Sequence, residues 1–172
     1  GSNGYADNSN IGYIQSLTEQ PDGKILVSGN DGSSIFLARY EADGSIDSGF
    51  GTSGVAIPSG GSFAGAADTA VQSDGSIIVI GEHGDDSVIT RFTSTGSYDT
   101  SFGSSGTVLV NLGGTFETLN SVTILSDDSI IAVGETSVVK MDSDGNLDTG
   151  FDSDGILNLG DSVMGATTQA DN

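Results

Sequence analysis

Four side chains in this 172-residue sequence carry a positive charge at pH 7, against 24 acids, so the place of each cation is informative. Arg39, Arg91 and Lys140 occupy matching settings, "LARYEADGSID", "ITRFTSTGSYD" and "VVKMDSDGNLD". In each, an aspartate (Asp47, Asp99, Asp148) follows eight residues later. A cation and an acid at that fixed offset can form one ion pair per copy. A single substrate breaks threefold symmetry, so three near-identical copies predict a structural pair rather than a catalytic one. Its weight depends on burial, since exposed pairs contribute little and breaking a buried one is costly.

The stretch most like a metal loop is "DSDGNLD", which sets Asp142, Asp144, Asn146 and Asp148 at alternate positions. Hard oxygen ligands so spaced can wrap Ca²⁺. An EF-hand loop has Gly at its sixth position and a closing Glu, whereas Gly145 stands fourth and no Glu follows. The matching "TSTGSYD" lacks the first two acids, so a plain solvated turn competes with a Ca²⁺ site, and no other cofactor is expected. His83 is the one histidine and there is no Cys, which excludes Cys–His and two-His sites within a chain. No nucleophile-elbow motif accompanies His83. Glycosidase chemistry needs only two carboxylates, and no pair stands out from the repeating pattern. The Gly-rich stretch 59–65 fits no phosphate-binding motif. Asp22, Asp74 and Asp127-Asp128 fall in short turns, where Asp accepts backbone N–H groups. The loops 30–34 and 82–87 do not repeat, and they supply the candidate ligand-binding residues Asn30, Asp31, His83, Asp85 and Asp86. Tyr5, Tyr13 and Tyr98 break the repeat and are the aromatic candidates for contact with a sugar.

The elements that would position these residues are themselves repeated. "QPDGKILVSG" recurs as "QSDGSIIVIG" and "LSDDSIIAVG", and "LARYEADGSIDSGFGTSG" recurs as "ITRFTSTGSYDTSFGSSG" and "VVKMDSDGNLDTGFDSDG". The closing glycines Gly54, Gly106 and Gly155 are 52 and 49 residues apart. The third copy is short because "NDGSS" and "EHGDDS" shrink there to "ETS". Each copy reads as four strands bounded by Gly with Asp, Ser or Asn. The second strand is a continuous Ile/Val run, the pattern of a strand covered on both faces. No helical period of useful length is present. Four short strands per repeat of about 50 residues is a propeller-blade pattern. A blade cannot bury its faces alone, so Ile11, Phe63, Phe116 and Val163, with Phe50, Phe102 and Phe151, are predicted to fill the space between blades.

These phrases resemble the delta-60 repeat family, tandem repeats of large bacterial proteins regarded as propeller-forming, over roughly residues 11–160. The resemblance implies the fold and an extracellular or surface setting in bacteria; it brings no common activity and no functional residues. The expected architecture is all-β: three four-stranded propeller-type blades, part of or assembling into a β-propeller. A β-trefoil is the alternative, since three four-stranded repeats could close alone. Residues 1–10 read as a cloning scar (Gly1-Ser2) and lead-in. The repeats run about 11–58, 59–111 and 112–160, and residues 161–172 resemble the opening of a next blade or a tail. Closed propellers have 4–8 blades. The chain is therefore a piece of a longer propeller or a homo-oligomer sharing blades, and shared blades are favoured.

A formal charge of −20 repels nucleic acid and anionic membrane surfaces, and no apolar run approaches a membrane span. Without Cys there is no disulfide framework. The leading expectation is a non-catalytic extracellular module for adhesion or ligand recognition, its partner a cell-surface glycan or protein. A structural or oligomerisation spacer, Ca²⁺-stabilised or not, is the second reading, and a carbohydrate-active enzyme fragment the third.

Overall fold

The computed structural model describes residues 12–32, 34–58, 64–112 and 118–160. Twelve strands run through them: β1 Tyr13–Glu19, β2 Ile25–Asn30, β3 Ile35–Tyr40, β4 Val55–Ala56, β5 Ala64–Val71, β6 Ile77–His83, β7 Asp86–Phe92, β8 Thr107–Val110, β9 Leu119–Ile124, β10 Ile130–Gly134, β11 Ser137–Met141 and β12 Ile156–Asn158. Each repeat folds into its own antiparallel meander, β1-β2-β3-β4, β5-β6-β7-β8 and β9-β10-β11-β12. No ladder joins one sheet to another among the described residues. That sets aside the β-trefoil, because the repeats stack as separate sheets rather than sharing one barrel. Ile11, Phe63, Phe116, Val163, Tyr5 and residues 161–172 lie outside the described residues.

The stacking follows from strand alternation, which sends successive side chains to opposite faces. Ile77 and Val79 of β6 pack with Leu26, Leu37 and Phe50 of the first sheet. Ile78 and Ile80 of the same strand pack with Ile130, Ala132 and Val139 of the third. A strand buried on both faces needs an unbroken Ile/Val run, and each such side chain removed from water contributes about 1.5–3 kcal/mol. Strands β1, β5 and β9 lie side by side, so the first strand of every sheet is innermost. Val27, Phe36, Ala38 and Tyr40 form a third buried cluster on the side of the first sheet away from the second.

Phe50 and Phe102 are fully buried between sheets, as their spacing predicts. Phe151 is half-buried, because no described sheet packs on that side of the third. Tyr13 is exposed. Tyr98 is not: its ring sits edge-on to Phe92 at 5.8 Å and its hydroxyl bonds to the Thr107 hydroxyl. The loop read over 82–87 is shorter than expected, since Glu82 pairs with Ser87 and His83 with Asp86, leaving Gly84-Asp85 as the turn.

Candidate functional site

The strand directions give the stack two ends. At one end lie the turns 20–24, 72–76 and 125–129 and the turns that follow the third strands. At the other lie the β2–β3, β6–β7 and β10–β11 hairpins.

All three repeated ion pairs form at the first end. Arg39 Nε stands 2.8 Å from Asp47, Arg91 Nε 2.7 Å from Asp99, and Lys140 Nζ 2.8 Å from Asp148. The arginines also reach into the next sheet. Arg39 Nη1 donates to the Ser94 carbonyl at 2.6 Å and Arg91 Nη1 to the Ser143 carbonyl at 2.7 Å, with each guanidinium over a phenylalanine (Phe50, Phe102). Burial pushes the Asp99 carboxyl up, but the hydroxyl and amide of Ser101, together with Arg91, outweigh it and hold the group below the usual carboxylate range. Asp47 is likewise raised by burial and brought below that range by Arg39, Lys24 and the Gly49 amide. These carboxylates are ionised and already paired, which leaves them fixed as struts between turn and strand.

The four residues of the metal-like stretch turn to different partners. Asp142 accepts bonds from the amides of Asp144 and Asn146 and from the Asn146 side chain, at 2.8–3.0 Å. Asp144 faces Arg91 at 3.6 Å, and Asp148 holds Lys140. Asp142, Asn146 and Asp148 line a shallow cleft of about 390 Å³ that also contains the Lys140 side chain, while Asp144 lines a different one. Among the described residues no group of three or more His, Asp or Glu is gathered as metal ligands would be.

The loop candidates lie at the opposite end, on adjacent sheets. Asn30 Oδ1 accepts from the Gly32 amide at 2.6 Å and Asp31 Oδ1 from the Ser34 amide at 2.8 Å, so both shape their own hairpin. Asp85 is exposed at the tip of the β6–β7 turn, flanked by half-buried His83 and Asp86. A cleft of about 750 Å³ runs between the outer strand β8 and the third sheet, and His83, Tyr98, Leu109, Asn146 and Leu147 line it. His83 and Asn146, from two separate candidate sets, thus share one cleft, which Asn30, Asp31, Asp85 and Asp86 do not line. A second cleft, about 810 Å³, opens at the ion-pair end between Glu19, Asp22, Lys24, Arg39 and Asp74.

Sequence reasoning missed the polar links between innermost strands. Asp68 of β5 accepts from Ser16 at 2.9 Å on one side, and from Ser121 at 3.2 Å and the Val122 amide at 2.9 Å on the other. It is the one acid among the equivalent positions 16, 68 and 121, a visible departure from the repeat. Gln72 Nε2 donates to the carbonyls of Asp128 and Ser143, both at 3.1 Å, and Asp128 accepts from Ser73.

Stacked four-stranded meanders, tied across each described seam by an arginine and a phenylalanine, define a propeller-type repeat protein. The chain belongs to the DUF5122 β-propeller family, a domain of unknown function, whose model matches residues 20–50, 72–102 and 125–151, one stretch per repeat and a little over half of the chain. No curated protein matched in sequence. Among solved structures, a protein of unknown function from Bacteroides caccae is similar at 14% identity and a TM-score of 0.50, covering 90% of this chain and 47% of that one. A streptogramin B lyase aligns at 13% identity and 0.49, covering 81% and 41%. PorZ, a surface component of the type-IX secretion system of Porphyromonas gingivalis, aligns at 12% and 0.44, covering 77% and 20%. The chain spans less than half the length of each. Among the described residues no helix is long and apolar enough to cross a membrane.

Proposed function

We propose that this chain is a non-catalytic recognition module, with repeats of the delta-60 kind, in a secreted or surface-anchored bacterial protein. It binds a cell-surface glycan or protein through the hairpin end. One observation carries this reading. The charged side chains that recur in every repeat are engaged in holding turns and sheets together, whereas Asn30, Asp31, His83, Asp85 and Asp86 sit at the opposite end, on hairpins whose length and composition differ between repeats. Variable loops on a rigid frame are where recognition is cheapest to change, since the frame tolerates length differences there. The acidic surface adds long-range repulsion of nucleic acid and anionic lipid.

A glycan array probed with the wild-type chain, followed by a turnover assay on each bound glycan, tests the reading. Replacing His83–Asp86 with a single Thr, which shortens the hairpin toward that of the third repeat, is expected to weaken binding at least about tenfold and to leave the melting temperature within a few degrees. Turnover that disappears on substitution of one Asp or Glu would make the chain an enzyme instead. Binding indifferent to the shortened hairpin would move the site elsewhere.

A further inference from the structure

The cleft of about 810 Å³ at the ion-pair end is separate from the hairpin-end site. Two glutamines at the same repeat position, Gln20 and Gln72, line it, and the third repeat has Leu125 there. Gln20 is 8% exposed and Gln72 5%. The Oε1 of each is buried and meets no donor. Gln72 Nε2 donates to the carbonyls of Asp128 and Ser143 in the third repeat, so its amide cannot turn over and its oxygen stays an acceptor. Buried acceptors are nearly always paired, so two unpaired ones lining a single cleft point to a donor brought by a ligand.

The charged groups around them agree. Glu19, Asp22 and Asp74 line the same cleft, and all three are exposed. None of the three joins an ion pair among the described residues. Asp22 Oδ1 accepts from the Lys24 amide at 3.1 Å, and Asp74 accepts from the amide and hydroxyl of Ser76 at 2.8 and 3.0 Å. Each carboxylate keeps further lone pairs for a ligand. The two cations of the cleft are already neutralised, Lys24 by Glu41 and Asp47, and Arg39 by Asp47. The described acids are not gathered as metal ligands would be. Acceptors spread along a cleft suit several donors spaced on one chain rather than a single ion. Ala70, Val71, Val122 and Ile124 supply an apolar wall for the methylenes between those donors.

We infer that this cleft binds an aliphatic chain bearing two or more primary ammonium groups. The ammonium groups donate to the amide oxygens of Gln20 and Gln72 and pair with Glu19, Asp22 and Asp74, while the methylenes lie on the apolar wall. An ammonium has three donors and no acceptor, the complement of amide and carboxylate oxygens. A formal charge of −20 raises the local concentration of any such cation. A free polyamine and adjacent lysines of a protein partner offer the same chemistry. The site stands apart from the hairpin end, so its test is independent of recognition there.

Isothermal titration of the whole 172-residue chain with spermidine, in about 0.15 M NaCl to screen diffuse attraction, is expected to saturate at one ligand per chain. A trilysine peptide blocked at both ends is the second probe, and the tighter binder of the two identifies free amine or protein lysine as the source. Glu19→Gln combined with Asp74→Asn is expected to weaken binding at least about tenfold. Gln20→Met, which removes one acceptor and keeps the length of the side chain, is expected to weaken it at least about threefold, with circular dichroism confirming that the variant is folded. Asp152→Asn combined with Asp154→Asn removes the same charge from an exposed turn outside the cleft. That pair is expected to leave binding within about twofold of wild type. Failure of both probes to saturate would overturn the inference. So would equal losses in the two double variants, the mark of diffuse attraction by the chain's charge, or a Gln20→Met chain that binds as wild type does.

Discussion

Arginine and lysine at the same repeat position are not equivalent, and burial is the reason. The Arg91 side chain is 10% exposed and that of Asp99 17%, against 28% and 35% for Lys140 and Asp148. Arg91 also bonds across the seam to Ser143, which a compact ammonium on a flexible stem does less well than a planar fork. Arg91→Met is therefore expected to lower the unfolding free energy by roughly 3 kcal/mol, near the low end for breaking a buried pair, in urea titrations. Lys140→Met is expected to do much less, and neither should reduce ligand binding. The Asp99 carboxyl, held below its ordinary value, titrates at a lower pH in the folded chain than in the unfolded one. Its contribution is thus complete above the unfolded value of about 3.9 and is lost as pH falls through the folded one. The gap in melting temperature between wild type and Asp99→Asn should accordingly be full at pH 6 and close as the pH drops below roughly 4.

Within an element, the turn after the third strand of the second and of the third sheet both reverses the chain and accepts the seam bonds, and glycine makes both possible. Gly96 adopts φ +82°, and a Cβ there would stand 2.9 Å from the Phe50 ring and 2.7 Å from the Gly51 nitrogen. Its turn accepts the seam's two cross-sheet bonds on neighbouring carbonyls. Gly96→Ala combines a strained backbone with a clash against backbone, and should cost more than about 1 kcal/mol in thermal or urea unfolding. Gly84, also at positive φ but with nothing within 4 Å of the added Cβ, should lose less on the same change. A comparison of the two separates backbone strain from seam packing.

At the scale of the molecule, a charge of −20 opposes compaction. Moderate NaCl should raise the melting temperature by screening that repulsion. At matched ionic strength, excess Ca²⁺ and chelator should give the same midpoint, because Asp142 and Asp148 already hold turn amides and Lys140. A higher midpoint in Ca²⁺ would restore the metal reading of Asp142, Asp144, Asn146 and Asp148.

The repeat, the four strands per copy, the ion-pair offset and the central place of Phe50 and Phe102 were all legible in the sequence. Each is a local rule of spacing, alternation or turn chemistry that the chain states three times. The half-burial of Phe151, the protected ring of Tyr98, the two-residue turn at Gly84-Asp85 and the separation of Asp144 from its three companions were settled only by tertiary structure. So were the seam bonds of Arg39, Arg91 and Gln72, whose acceptors are backbone carbonyls. A carbonyl is the same at every residue, so no residue type announces it, and only the packing of one sheet on the next decides which one a side chain meets.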